Sequence, residues 1–137
     1  MNNTAFALIG YIGWMVILML VMECFRTYLV LGKGKPANSF AVDGSDTFPL
    51  LHRLTRAHAN CYEHFPIIGG ILIFALATKW TGVTAGLALW VLAARILQSC
   101  THILSNGLHA VQVRFVFFTV QLLIVAFWIV QIFLPLL

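Results

Sequence analysis

Residues 49–79 read PLLHRLTRAHANCYEHFPIIGGILIFALATK, and the change of character halfway along decides the fold. Residues 65–78 are apolar, whereas the preceding stretch carries Arg53, Arg56, His58, Asn60 and Glu63. The pattern fits one helix over about residues 49–78, with Pro49 tolerated in its first turn. The 14 apolar residues reach only about 21 Å at 1.5 Å per residue, against about 30 Å of hydrocarbon in a bilayer. The polar half therefore has to enter the membrane. Such side chains cannot face lipid cheaply, so they face the bundle interior, a neighbouring subunit or a water-filled cavity.

The rest of the chain is built to match. Of 137 residues, 61% are hydrophobic and 9% charged, and the mean hydropathy is +0.96. Soluble domains usually carry about 25% charged residues, so this chain could not cover a water-facing surface. A first helix over about residues 4–31 opens with uninterrupted apolar sequence and ends with Glu23 and Arg26 on one face. Residues 32–48 form the only substantial loop, rich in turn-forming Gly, Pro, Asn, Ser and Asp, in which Ser45 or Asp46 is placed to cap the second helix. After a tight turn at 79–82, a third helix spans about 83–104, and a fourth spans about 111–133, ended by Pro135. The expectation is an all-α, integral membrane four-helix bundle, up-down-up-down, forming one domain over residues 1–137.

The net charge of +4 has a membrane explanation. Lys33, Lys35, Arg53 and Arg56 lie on the side of the first and third loops, with Arg26 and Arg114 close by, while Lys79 is the lone cation opposite. By the positive-inside rule both termini lie outside and loops 1 and 3 are cytoplasmic. A bacterial inner membrane is the expected host. No basic run is long enough for nucleic-acid binding. Cys24, Cys61 and Cys100 are too few and too scattered for a disulfide framework or a metal site, and read as three buried small hydrophobes. No cleavable signal segment is evident.

Helices 2 and 3 form a hairpin turning near Lys79, and residues equidistant from the turn share a depth. Glu63 pairs in depth with Arg95, Asn60 with Gln98, and Arg56 with His102. Arg56, Asn60 and Glu63 follow i, i+4, i+7 spacing; Arg95, Gln98 and His102 follow i, i+3, i+7. Two facing polar ladders follow, with Glu63–Arg95 the deepest rung. One such pair could simply lock two helices together. So many polar groups at one end point instead to a binding site. Arginine forks suit carboxylates, Glu63 suits an ammonium group and Asn60 suits a peptide amide, which describes a small zwitterionic anion.

The run Arg56-Ala57-His58-Ala59-Asn60-Cys61-Tyr62-Glu63-His64-Phe65-Pro66 resembles the signature of the membrane-associated proteins in eicosanoid and glutathione metabolism, the MAPEG family. Its pattern, roughly R-A-H-x-N-x-x-E-x-x-P at the start of helix 2, is met at every defined position. The resemblance implies a homotrimer of four-helix subunits, with glutathione as cosubstrate folded between neighbours near the cytoplasmic side. It implies a transferase or peroxidase acting on lipophilic electrophiles or lipid hydroperoxides that arrive through the membrane lipid. By motif position Asn60 and Glu63 resemble the glutathione contacts, and Arg56 and His58 complete the motif. Arg95 resembles the family's helix 3 arginine, and Gln98 shares its stripe. Arg114 resembles the helix 4 arginine beside the glutathione sulfur, and Arg26 a helix 1 arginine.

Three departures bear on catalysis. His102 stands where many members carry a tyrosine, Phe115 and Phe118 stand where several carry hydroxyls, and the connection from His102 to Arg114 is long. The alternatives are a non-catalytic membrane protein of the same fold and a small four-helix drug exporter, in which Glu23 would be the helix 1 carboxylate.

Overall fold

The computed structural model describes residues 2–137, and among them every regular element is helical. Helix α1 (Asn3–Lys33) is capped by Asn2, whose side-chain oxygen accepts from the backbone N–H of Thr4 at 3.0 Å and of Ala5 at 3.4 Å. It ends at Gly34, whose φ of 67° is open to glycine and costly to other residues. The Gly34 and Lys35 N–H groups close the helix on the carbonyls of Val30 and Leu29.

The loop then folds back on itself. Lys35 Nζ meets Asp46 at 2.7 Å, and Asp46 accepts from the Ala41 N–H at 3.0 Å. Asp46 therefore ties the loop instead of capping the next helix. Ser45 does not cap it either: the cap position of α2 (Pro49–Ala77) is Phe48, which makes no side-chain bond there. Pro49 lessens the loss, since it has no N–H to leave unpaired. The Phe48 ring packs edge-on against Phe25 of α1, centroids 5.3 Å apart. Helix α2 keeps Pro66 in its interior. Upstream of it, the carbonyls of Asn60 and Cys61 accept side-chain hydrogen bonds from Arg95, His64 and Tyr11, while the carbonyl that loses its helical partner to the proline is that of Tyr62.

The expected third helix is broken. A single turn, α3 (Thr81–Thr84), is followed by turn residues and then α4 (Ala88–Leu104). The Thr84 hydroxyl is held by Thr4 at 2.8 Å, and Asn3 donates to the Ala85 carbonyl at 3.4 Å. Gly86 follows, a residue that weakens a helix interior by about 1 kcal/mol relative to Ala. Helix α5 (Leu108–Phe133) runs into a short 3-10 turn, Leu134–Leu136, containing Pro135.

Contacts between the helices step in opposite senses. Along α1, Thr4 meets Thr84, Tyr11 meets Cys61 and Phe25 meets Phe48. Between α2 and α4, Arg53 meets Ile103 and Cys61 meets Ser99. Helix α4 is the centre: it packs on α1, α2 and α5, while α2 and α5 touch each other sparingly. Tyr11, Leu18, Cys61, Leu72, Val91 and Trp128 form the core around it. At Gly10 a Cβ atom would lie 2.6 Å from the Leu92 side chain, so the missing side chain lets α1 approach α4 closely.

Outward, Phe6, Ile9, Trp90, Phe115, Leu123 and Phe133 are all at least half exposed. Exposed apolar surface on that scale suits lipid contact. Three helical segments, Asn3–Lys33, Pro49–Ala77 and Leu108–Leu136, are long and apolar enough to cross a membrane; Ala88–Leu104, at 17 residues, is shorter. Of the cysteines only Cys61 is buried; Cys24 is exposed and Cys100 intermediate, which corrects the expectation of three buried thiols.

Candidate functional site

The buried face of α2 is centred on Cys61, with Leu54 and Ile68 two turns away on either side and Leu72 three turns away along it. At about 100° per residue, Arg56 and Glu63 both point roughly 150° away from Cys61. Both are exposed, and among the described residues neither side chain makes a hydrogen bond or ion pair. Asn60 lies between the two faces and is half-buried.

The inner stripe is fully engaged. Arg95 of α4 is 1% exposed and donates through Nη1 to Asn60 Oδ1 at 2.7 Å and to the Asn60 carbonyl at 3.3 Å. Its guanidinium carbon sits 5.6 Å from the Tyr11 ring centroid, a cation–π contact. One turn along α4, Gln98 Oε1 accepts from Gln121 Nε2 of α5 at 2.9 Å. The deepest rung of the expected ladder is therefore Asn60–Arg95, not Glu63–Arg95, and Gln98 pairs with α5 instead of Asn60. The observed rung is three residues off the count from Lys79, and azimuth differs as well: Glu63 lies on the exposed face of α2.

Nearer the ends of α2 and α4 the cationic groups gather. His102 lies close enough to Arg114, Arg56 and His52 for their charges to act on it, and His58 stands in the same relation to Arg26. Arg114 falls on the same stripe of α5 as Phe118, Gln121 and Val125, two turns before the glutamine. It is half-buried and makes no hydrogen bond among the described residues. Arg26 pairs with Glu23 at 3.3 Å and lies 5.7 Å over the Phe40 ring, so the loop covers it. His58 packs on Tyr62, centroids 5.6 Å apart. At the start of α2, Arg53 Nε donates to the Ile103 carbonyl at 2.7 Å and pins the two helix ends together.

Two residues the sequence reading passed over belong to this architecture. Tyr11 donates to the Cys61 carbonyl at 3.0 Å and supplies the ring under Arg95. Its signal was a lone hydroxyl in an otherwise apolar stretch. His64 Nδ1 bonds the Asn60 carbonyl at 2.7 Å, and its ring packs on Phe118 at 5.1 Å. Phe118 thus has a packing role where a hydroxyl was expected. In the loop, hydrogen bonds from Ser45 hold the Asp43 carboxyl below its ordinary range, and the ammonium of Lys35 does the same for Asp46. No group of three metal-ligating side chains comes together among the described residues.

The MAPEG family model matches residues 4–134, nearly the whole chain. The chain belongs to the MAPEG family. No curated protein and no solved structure gives a significant match. Family membership makes this a membrane protein of the glutathione and eicosanoid-metabolism class. For a MAPEG chain, the division of the helix 2 signature is informative. Asn60 is clamped from within, while Arg56 and Glu63 of the same helix face outward with no partner of their own.

Proposed function

We propose that this MAPEG protein is a glutathione-dependent transferase or peroxidase acting on lipophilic electrophiles or lipid hydroperoxides. The observation that carries the reading is the outward, unpartnered pair Arg56 and Glu63 beside an Asn60 whose side chain is pre-set by Arg95. A site so arranged is incomplete in one protomer and fits a homotrimer in which glutathione lies between subunits. In this reading Arg56 takes a carboxylate, Glu63 the ammonium group and Asn60 a peptide amide, with His58 and Arg26 on the periphery and Gln98, buried and bonded to Gln121, supporting the site from behind. Arg95 acts through Asn60, because it is buried behind it. The helices cross the membrane up-down-up-down, with loops 1 and 3 cytoplasmic, and an apolar second substrate enters sideways from the bilayer.

Arg114 is the group proposed to act on the sulfur. A thiol of pKa about 8.5 is only a few per cent thiolate at neutral pH, and a neighbouring guanidinium favours the charged form. In conjugation the S–H bond breaks with its proton going to solvent, the S–C bond forms, and the electrophilic carbon either expels its leaving group or passes the electron pair to a neighbouring atom that takes a proton from solvent; in the peroxidase reaction two glutathione thiols reduce the hydroperoxide to an alcohol and water and leave as the disulfide. His102, which lies within reach of the Arg114 charge, is the proposed hydrogen-bond donor.

A second reading has its own observation. Phe115 is 67% exposed and Phe118 packs on His64, so no hydroxyl follows Arg114 to help hold a thiolate. A binding protein that retains glutathione without turnover would look the same. Calorimetry on the detergent-purified protein tests both readings, with Glu63→Gln and Arg114→Ala alongside. Saturable glutathione binding weakened by both changes supports the intersubunit site, and turnover of a model electrophile then separates enzyme from binder. No binding at millimolar glutathione would discard both readings.

A further inference from the structure

The outer face of α1 changes character at the depth where a bilayer does. From Thr4 to Glu23 the helix runs 20 residues, about 30 Å at 1.5 Å per residue, which matches the thickness of the hydrocarbon. Glu23 and Arg26 therefore stand at headgroup level, on the side of the first loop. There α1 and the loop form an open cleft of about 340 Å³, lined by Glu23, Arg26 and Thr27 on the helix and by Phe40 on the loop, with both polar and apolar surface. The loop wall is anchored. Lys35 lies 5.1 Å over the Phe40 ring and is tied to Asp46 at 2.7 Å, while Arg26 lies 5.7 Å over the same ring.

The cleft holds both signs of charge, only partly spent on each other. Arg26 Nη1 donates to Glu23 Oε1 at 3.3 Å, and such an exposed pair contributes little. Arg26 Nε and Nη2 form the edge that grips two oxygens at once. They make no hydrogen bond among the described residues and are not sealed from solvent. Glu23 Oε2 is likewise unbonded, on an exposed side chain. One turn deeper the same stripe of α1 enters a second groove. Ile12, Val16 and Met19 precede Glu23 at helical spacing and, with Met15, line about 440 Å³ of apolar space against Tyr62 and Phe65 of α2. His58 lines this groove and lies within reach of the Arg26 charge, so groove and cleft adjoin.

We propose that cleft and groove together seat one phospholipid of the surrounding leaflet, with an ethanolamine headgroup. Arg26 Nε and Nη2 donate to two phosphate oxygens, the lipid ammonium donates to Glu23, and an acyl chain follows the stripe past Met19 towards Ile12. The two methionines let the groove adapt to the chain. A choline headgroup has no N–H to donate to Glu23. A glycerol headgroup sets the phosphate charge beside Glu23 with no cation between them. The site stands whether or not glutathione binds at Arg56 and Glu63.

The test is native mass spectrometry of the detergent-purified, delipidated protein, titrated with short-chain phosphatidylethanolamine, phosphatidylcholine or phosphatidylglycerol. The expected result is saturation at one ethanolamine lipid per chain, at a concentration about tenfold below that for either other headgroup, the scale of one charge-assisted hydrogen bond. Arg26→Gln weakens all three about tenfold. Glu23→Gln removes the preference and leaves phosphatidylglycerol binding no weaker. Val16→Trp, on the apolar stripe, obstructs the chain and abolishes saturation. If that variant does not fold, free phosphoethanolamine replaces it and binds at least about a hundredfold more weakly than the lipid, for want of a buried chain. Equal affinities for the three lipids, affinities unchanged in both charge variants, or phosphoethanolamine binding as tightly as the lipid would overturn the proposal. So would the absence of any lipid binding, the outcome if a second copy of the chain covers the cleft. Displacement of the lipid by glutathione would overturn it too, by making Arg26 part of the peptide site.

Discussion

Two sets of polar residues share one end of this bundle and are treated in opposite ways. Asn60, Arg95, Gln98 and Gln121 point inward and bond one another at 2.7 and 2.9 Å. Arg56, Glu63 and Arg114 lie within a few turns of them and bond nothing among the described residues. Burial explains the first set, since a polar group away from water has to find a partner. Burial does not explain the second set. Residues held apart from every internal partner are the ones left available to something outside the protomer. The comparison divides the helix 2 signature into a part that builds and a part that binds.

Substitutions can break this division. The largest effect is expected at Arg114: Arg114→Ala lowers conjugation about a hundredfold, the scale of losing one charge-stabilising group, while the melting temperature stays within a degree or so. A stopped-flow or absorbance assay of thiol conjugation reads it. Glu63→Gln comes next. Loss of a charge-assisted bond weakens glutathione affinity roughly tenfold or more, again with stability unchanged, as calorimetry and a thermal melt on the same sample will report. The inner set behaves in reverse. Gln121→Leu strands Gln98 Oε1 and costs about 1–3 kcal/mol in a denaturant titration in detergent, with little change in glutathione affinity. If Gln121→Leu impaired binding as much as Glu63→Gln does, the division into two sets would be wrong.

Two smaller effects sharpen the comparison away from the site. Lys79 is a non-glycine residue at φ 62°, so Lys79→Gly relieves about 1 kcal/mol and raises the melting temperature slightly. The loop is sensitive to acid. Asp46 has its pKa lowered in the fold by Lys35, so its contribution is present above the unfolded value of about 3.9 and is lost as pH falls through the lowered folded value. Protection against amide exchange over residues 34–47, measured relative to the unstructured chain at each pH, should therefore be highest at neutral pH and fall in acid. Asp46→Asn should give the low protection at every pH.

Much of this was legible in the sequence. A periodic apolar run fixes a helix well, which is why α1, α2 and α5 lie within three residues of the limits expected at 4–31, 49–78 and 111–133. Counting from Lys79 places the Arg53–Ile103 and Cys61–Ser99 contacts to within two residues, because rise per residue is nearly constant. Which way each side chain points was not legible. That depends on which face of α2 packs on α4, and the face is set by Cys61, Leu54 and Ile68 meeting their neighbours. Glu63 was placed opposite Arg95 on depth alone. The break in the third helix was also hidden, because its cause lies 80 residues away, in Thr4 holding Thr84. The assignment of Arg114 to the sulfur comes from motif position, and geometry adds only that the side chain is half-buried and makes no hydrogen bond among the described residues.

That same hydroxyl pair bears on how the protein is made. The leading end of α1 has its side-chain partners at Thr84 and Ala85, in the segment after α2. A nascent chain delivers α1 and α2 to the membrane first, joined through Tyr11 and the Phe25–Phe48 contact. Until translation passes residue 85, nothing fastens the first turn of α1, and that helix is free to tilt and shift in register. The third segment acts as a late latch, so the bundle is closed only when α4 is being inserted and the first two helices have already settled in the bilayer.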